Sequence, residues 1–198
     1  MRVKKTNTGF TDKLIIGKFG FFIEVDDNGI NIDNKDLIAQ AIHFKCVVLY
    51  GKDVFYQKEE VSSFVKTLKK KNEKIEIIIF TNGFTRPIGL SNIDGIIFII
   101  IPQMKNSNIE FEKRINLKIL NWYSKVNSLF MFYVCNEDDI DEAMMLSSNL
   151  DIKRKNMYFV SKDNNIEFLV KNAKKYGINI SVNIDDVFKI DEVLIQNE

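Results

Sequence analysis

Apolar residues along this chain fall into six short, nearly continuous runs separated by segments of helical spacing. The runs are Phe19 to Val25, Cys46 to Tyr50, Ile75 to Phe80, Ile96 to Ile101, Leu129 to Val134 and Met157 to Val160. Runs this uniformly apolar predict strands buried on both faces, as a parallel sheet requires. Between them, Val61, Phe64, Val65 and Leu68 repeat at i, i+3, i+4 and i+7, and Ile115, Ile119 and Trp122 form a second stripe. The segment Asp138 to Leu150 predicts a helix with acids in its first turn. Ile166, Leu169, Val170 and Ala173 line another, which ends at Gly177 as a C-cap. Strands alternating with helices over the whole length predict an α/β fold. No linker, repeat or low-complexity tract interrupts the series, so residues 1–198 read as one domain with a short N-terminal extension over about residues 1–17.

Composition narrows the setting. With 198 residues, 45% of them hydrophobic, the chain can bury a substantial core. Its 28 Lys and Arg against 27 Asp and Glu leave a net charge of +1, without the broad basic footprint of a nucleic-acid binder. Two local basic groups exist: Lys66, Lys69, Lys70, Lys71 and Lys74 around one helix end, and Lys153, Arg154 and Lys155. A solvated face that complements a helix dipole accounts for them. Cys46 and Cys135 each lie in or beside an apolar run and read as free core thiols, the expectation for a reducing cytoplasm. No run approaches membrane-spanning length, and the first residues lack a signal-peptide core, so no membrane association is expected.

In α/β folds ligands sit beyond the carboxyl ends of the strands. The residues there are Gly51, Lys52 and Asp53, then Thr81, Asn82 and Gly83, then Pro102 and Gln103, then Cys135, Asn136 and Glu137. In this order the chain resembles radical S-adenosylmethionine proteins, most closely the 7-carboxy-7-deazaguanine synthases and the activating enzymes of glycyl-radical proteins. Val47 to Val54 stands where those families have a strand followed by Thr-Gly-Gly-Glu-Pro, and Thr81-Asn82-Gly83 matches their Thr-Asn-Gly. Ile100 to Gln103 resembles the Ser-Pro-Lys of the deazaguanine synthases, Met131 to Val134 their Lys-Phe-Val-Val, and Tyr176 to Ser181 their C-terminal strand. The resemblance covers roughly Lys18 to Asp186 and implies an open partial (β/α) barrel of about six mainly parallel strands.

The departures bear on activity. Those families hold a [4Fe-4S] cluster on a Cys-x3-Cys-x2-Cys loop after the first strand. Here that loop is Asp26 to Asp33 with no cysteine, so a cluster is not expected, and with it the electron source for cleaving S-adenosylmethionine is missing. In the family the Gly-Gly-Glu segment receives the methionine ammonium. In this chain its second Gly is Lys52, which would repel that ammonium, and its acid is the shorter Asp53, which could pair with either. The substrate-side Lys and the late Arg and His of the deazaguanine synthases are Gln103, Asn183 and Asp185.

Each sharp assignment has a plainer rival. Lys52 and Asp53 form either a ligand-binding remnant or a surface ion pair at a strand end. Thr81-Asn82-Gly83 either cradles a ligand or is an ordinary turn. Asp26-Asp27-Asn28-Gly29 resembles an oxygen-rich cation loop but lacks the later Glu of calcium loops, and a tight turn is expected. His43, the only histidine, has no nucleophile or acid at motif spacing and is expected to be structural or exposed. Glu137, Asp138, Asp139, Asp141 and Glu142 form either a metal or partner site or, as expected, the cap and soluble face of a helix. Phe19, Phe21, Phe22, Phe130 and Phe132 suit a core or a pairing surface, and an open sheet leaves edges where a homodimer or protein partner could dock.

The leading expectation is a cluster-less, non-catalytic protein of radical S-adenosylmethionine type acting as a binding or accessory subunit. The alternative is an iron-independent enzyme, or a binder of S-adenosylmethionine or a purine-like molecule, that reuses the strand-end pocket and is linked to deazapurine metabolism. Asp53 or Asp185 would then act as acid/base, and Lys52 or Asn82 would hold an anionic or nucleotide-like substrate. A small doubly wound nucleotide-binding domain is a third class, but no Gly-x-Gly-x-x-Gly or Walker loop is present.

Overall fold

The computed structural model describes residues 1–10, 18–163 and 165–181. Its strands form one nine-stranded sheet in the order β3-β1-β2-β4-β5-β6-β7-β8-β9. The six apolar runs become β2 (Phe19–Val25), β4 (Cys46–Tyr50), β5 (Glu76–Thr81), β6 (Ile96–Ile100), β7 (Ser128–Val134) and β8 (Met157–Ser161). Each is parallel to its neighbour, and β9 (Asn179–Ile180) extends the parallel series beyond β8. The sheet does not close, which is the partial barrel expected.

Three strands exceed the expected six: β9, which falls in the Tyr176 to Ser181 stretch matched to a C-terminal strand, and two at the opposite edge of the sheet. The stretch set aside as an extension supplies β1 (Arg2–Phe10), antiparallel to β2, and the loop after β2 supplies β3 (Ile30–Asn31), paired with β1 at Arg2 and Val3. Polar residues crowd β1, and Lys4, Lys5, Asn7 and Thr8 are exposed, so it carries no continuous apolar signal. That composition suits an edge strand.

Strand alternation sorts side chains onto two faces. Phe21, Ile23, Val47, Leu49, Ile77 and Ile79 face the larger core, which they share with helices α1 (Asn34–Ala41), α2 (Lys58–Lys71), α4 (Leu117–Tyr123), α5 (Glu137–Asn149) and α6 (Ile166–Tyr176). Cys46, Val48, Ile78, Ile99, Met131 and Val160 form a second cluster, to which only strand residues and Ile101 contribute among the described residues. Both faces are apolar, which explains the unbroken hydrophobic runs.

The helices keep their expected stripes. Val61, Phe64, Val65 and Leu68 of α2 are fully buried, and Gly177 ends α6 in the left-handed conformation at φ 65°. Lys69 of α2 donates to the carbonyls of Glu73 and Ile75, which ties the last turn of the helix to the segment leading into β5. The stripe of Ile115, Ile119 and Trp122 is split between α3 (Phe111–Arg114) and α4, because Ile115 adopts an extended conformation between them. No described helix is long and apolar enough to cross a membrane.

Candidate functional site

The carboxyl ends of β4, β5 and β6 open onto a cleft of about 330 Å³. Of the residues singled out by position, Gly51, Lys52, Thr81, Asn82 and Gln103 line it together. Tyr56, Phe80, Phe84, Ile101, Lys113 and Arg114 complete the lining. Gly83 and Pro102 do not line it: Gly83 packs beneath the loop, where a Cβ would lie 2.4 Å from Leu120 at a backbone φ of 74°. Asn183 and Asp185 lie outside the described residues.

Asp53 turns away from this cleft. It is 5% exposed, and its Oδ1 accepts the Phe55 N–H at 3.1 Å, capping a 3-10 turn over Val54–Gln57. Its Oδ2 accepts the Thr85 hydroxyl at 2.9 Å. Burial pushes the carboxyl above its usual pKa, and hydrogen bonds from Thr85, Phe55 and Thr81 partly offset that rise. The surface ion pair considered for Lys52 and Asp53 is therefore not formed; the acid is an internal fastener. Its carboxylate borders a smaller neighbouring cleft of about 210 Å³, shared with Asp26, Asp27, Lys52 and Tyr56.

The loop after β5 is pinned from several sides. Thr81 Oγ1 accepts the Gly83 N–H, Asn82 Oδ1 accepts the Phe84 N–H at 2.9 Å, and the Tyr123 hydroxyl donates to the Thr85 carbonyl at 2.9 Å. Desolvation raises the Tyr123 pKa strongly, so it remains a neutral donor. Asn82 thus makes an ordinary local turn and still presents its amide nitrogen. At the end of β4, a Cβ on Gly51 would lie 2.1 Å from the Val25 carbonyl oxygen, so only glycine allows β2 and β4 to approach this closely.

The far wall is held by two buried acids of α5. Arg114, 6% exposed, makes a two-pronged pair with Glu142 at 2.5 and 3.0 Å and donates to the carbonyls of Ile109 and Gln103. Asp139 accepts from the backbone and side chain of Asn106 and from the backbone and thiol of Cys135. Burial opposes its charge, but these hydrogen bonds prevail and hold its carboxyl below the usual range. The capping expected of the acidic run is performed instead by Asn136, whose side chain accepts the Asp139 N–H. Asp139 and Glu142 bind the segment after β6. Sequence spacing missed this role, as it missed Tyr56, Phe84, Lys113 and Arg114; Tyr56 and Phe84, each soon after a strand end, were the available signal.

An iron–sulfur cluster does not fit the donor set. The segment after β2 is a turn in which Asp26 accepts the N–H groups of Asn28 and Gly29 before β3 begins, and it offers no thiolate. Cys46 opens β4, away from the strand ends that form the cleft, and burial pushes its thiol up to about 11. Cys135 follows β7, and burial and Asp139 raise its thiol as well. No group of three metal-ligating side chains occurs among the described residues, and the Asp26 segment forms the tight turn expected. Asp53, the acid at the position where the resembled families receive the methionine ammonium, is engaged by the Phe55 N–H and the Thr85 hydroxyl. His43 is exposed in the turn after α1.

No family model matches the sequence, and no curated protein matches it. Solved structures do. QueE from Escherichia coli superposes with a TM-score of 0.70 at 13% identity, covering 92% of this chain and 93% of that one. SuiB from Streptococcus suis, bound to S-adenosylmethionine, gives a TM-score of 0.58 at 14% identity over 80% of this chain and 45% of that one. A second SuiB structure gives 0.55 at 14% identity. The chain therefore has the radical S-adenosylmethionine fold, of the QueE-like type, as its strand-end motifs led one to expect.

Proposed function

We propose that this protein is a cluster-less, non-catalytic member of the radical S-adenosylmethionine fold that binds a small molecule in the strand-end cleft and serves as a binding or accessory subunit. The observation that carries this reading is the segment after β2, where a four-residue turn and a short strand stand in place of a thiolate-bearing loop. The cleft itself is retained between the ends of β4, β5 and β6, and its binding role is argued from that retention. S-adenosylmethionine and purines are the first ligands to test, since SuiB was solved bound to S-adenosylmethionine.

The enzyme alternative is less favoured because Asp53, one of its two acid/base candidates, is committed to Phe55 and Thr85 rather than aimed into the cleft, and the other, Asp185, lies outside the described residues. The accessory part of the reading is supported by β1, whose outer edge from Lys4 onward has no paired strand among the described residues. A partner or second copy would add a strand there. A cytoplasmic setting belongs to the same proposal and is supported by two free cysteines.

Protein isolated under strict anaerobiosis and analysed for iron and acid-labile sulfide tests the central claim. Sub-stoichiometric iron and sulfide are expected. One cluster's worth of each per chain, lost on replacing Cys135 by Ser, would overturn it.

A further inference from the structure

We infer that a second cleft, at the amino ends of β7 and β8 and so at the opposite end of the sheet from the strand-end cleft, takes an anion of two or more linked phosphate groups on Lys125, Lys153 and Lys155.

Two turns build this cleft, whose volume is about 370 Å³. The turn between α4 and β7 supplies Lys125, and a 3-10 turn over Arg154–Asn156, just before β8, supplies Lys155, with Lys153 as its N-cap. Both turns are fastened by their other polar groups. Ser128 donates its hydroxyl to the Tyr123 carbonyl at 2.6 Å, and Asn127 donates its amide to the Ile96 carbonyl at 2.8 Å. On the other wall the Ile152 N–H donates to the Ser147 carbonyl, and the Ser147 hydroxyl returns a bond to the Ile152 carbonyl. Asn179 donates to the carbonyls of Lys155 and Met157, both at 3.1 Å, and Arg154 is spent on the Tyr176 carbonyl at the end of α6.

The three lysines are not spent in this way. They are exposed, share one concavity with no Asp or Glu in its lining, and join no ion pair among the described residues. Asp151, next to Ile152, and Asp94, two residues before Ile96, neither line the cleft nor pair with these ammonium groups. Fixed walls that carry like charges raise the local positive potential, and a multiply charged anion meets it best.

Helix dipoles do not account for Lys153 and Lys155. Lys69, Lys70 and Lys71 lie in the last turn of α2, where a dipole favours cations, but α5 closes at Leu150 with no basic residue in its last turn. Lys153 and Lys155 come after it in a separate turn, past the range of that effect. The only ring in the lining, Phe130, is buried, so the site offers charge without a stacking surface. Lysine binds phosphate as a point charge with rotatable donors, which suits recognition by phosphates alone.

Calorimetric titration of the intact chain with inorganic tripolyphosphate and with orthophosphate, at low ionic strength, tests the assignment. Tripolyphosphate is expected to bind saturably, one per chain, and about tenfold more tightly than orthophosphate, which can reach fewer of the lysines. Lys125→Met should weaken tripolyphosphate about threefold, and Lys153→Met combined with Lys155→Met about tenfold, as exposed charge contacts do. Neither change should lower the melting temperature. Two controls should leave binding unchanged: Lys70→Met combined with Lys71→Met, which removes the same charge from the other basic group, and Lys52→Met in the strand-end cleft. Loss of binding in the first control would mean diffuse attraction to a basic surface, and loss in the second would put the anion in the other cleft; either overturns the assignment. So does the absence of saturable heat, orthophosphate binding as tightly as tripolyphosphate, or indifference to the three lysines. None of these outcomes bears on the strand-end cleft as a binding site except loss in Lys52→Met, which would support it.

Discussion

Thr85 donates its hydroxyl to Asp53 at 2.9 Å, tying the loop after β5 to the turn after β4. Two segments that each follow a different strand are thereby joined directly. Tyr123 closes the arrangement from α4 through the Thr85 carbonyl. Each Asp53 oxygen accepts one internal hydrogen bond, Oδ1 from the Phe55 N–H and Oδ2 from the Thr85 hydroxyl, so the acid fastens the two segments together.

Asp53→Ala is expected to destabilise the protein by about 1–2 kcal/mol, the range for losing a cap and one buried bond. Urea denaturation followed by circular dichroism reads this directly. The pH arm has a definite sign. Because burial raises the folded pKa of Asp53, the folded state retains a proton that the unfolded state releases. The favourable contribution is full below the ordinary carboxyl pKa of about 3.9 and is lost as pH rises through the folded value. Asp53→Asn should remove that slope, so the difference in midpoint between it and the parent should grow with pH over this window. Parallel curves would show that Asp53 is not the titrating group.

Asp139 titrates in the opposite sense. Burial works against its charge, yet the N–H groups of Cys135 and Asn106 hold it ionised below the usual range. Its contribution is present above the ordinary carboxyl pKa and is lost as pH falls through the depressed folded value. Asp139→Ala leaves buried donors on Cys135 and Asn106 without acceptors and is expected to cost about 2–4 kcal/mol. The loss should be local first: amide hydrogen exchange at Asn106 and Lys105 should accelerate more than exchange in β7. Uniform acceleration across the sheet would instead mean that the segment after β6 is not separately anchored by this acid.

The strands were legible because burial on both sheet faces leaves an unbroken apolar run, and Cys46 to Tyr50 was recovered to the residue. Strand β1 was not, because an edge strand exposing Lys4, Lys5 and Asn7 looks like any polar segment. The strand-end rule located Lys52, Asn82 and Gln103 in the cleft, since it depends only on where each parallel strand stops. It could not give the direction of the Asp53 side chain, which is fixed by Thr85, 32 residues away in sequence. Asp139 and Glu142 were misread for a similar reason. In a helix's first turns an acid that caps and an acid that reaches a distant loop have the same spacing, and only tertiary packing separates them. Arg114 was invisible because its partner, Glu142, is 28 residues on and belongs to another element.

That buried pair gives the sharpest energetic test of the far wall. Arg114 and Glu142 have side chains only 4% and 8% exposed, joined at 2.5 Å, so each charge depends on the other for solvation. Removing one partner strands the second, and Arg114→Met or Glu142→Gln alone is expected to destabilise by about 3–5 kcal/mol. Glu142→Gln should be the milder, since its amide oxygen can still accept from the guanidinium and from the Lys105 N–H, which lies 2.7 Å from the native Glu142 carboxylate. The double replacement Arg114→Met with Glu142→Leu removes both desolvation penalties and fills the space, so it should recover much of the loss. Stability measured for this double variant and for Arg114→Met and Glu142→Leu singly separates two roles. Recovery by the double variant would show that the pair serves to position the segment carrying Gln103. A double variant as unstable as the sum of the two singles would show that the carbonyls of Ile109 and Gln103, which Arg114 also holds, carry the larger share of the stabilisation.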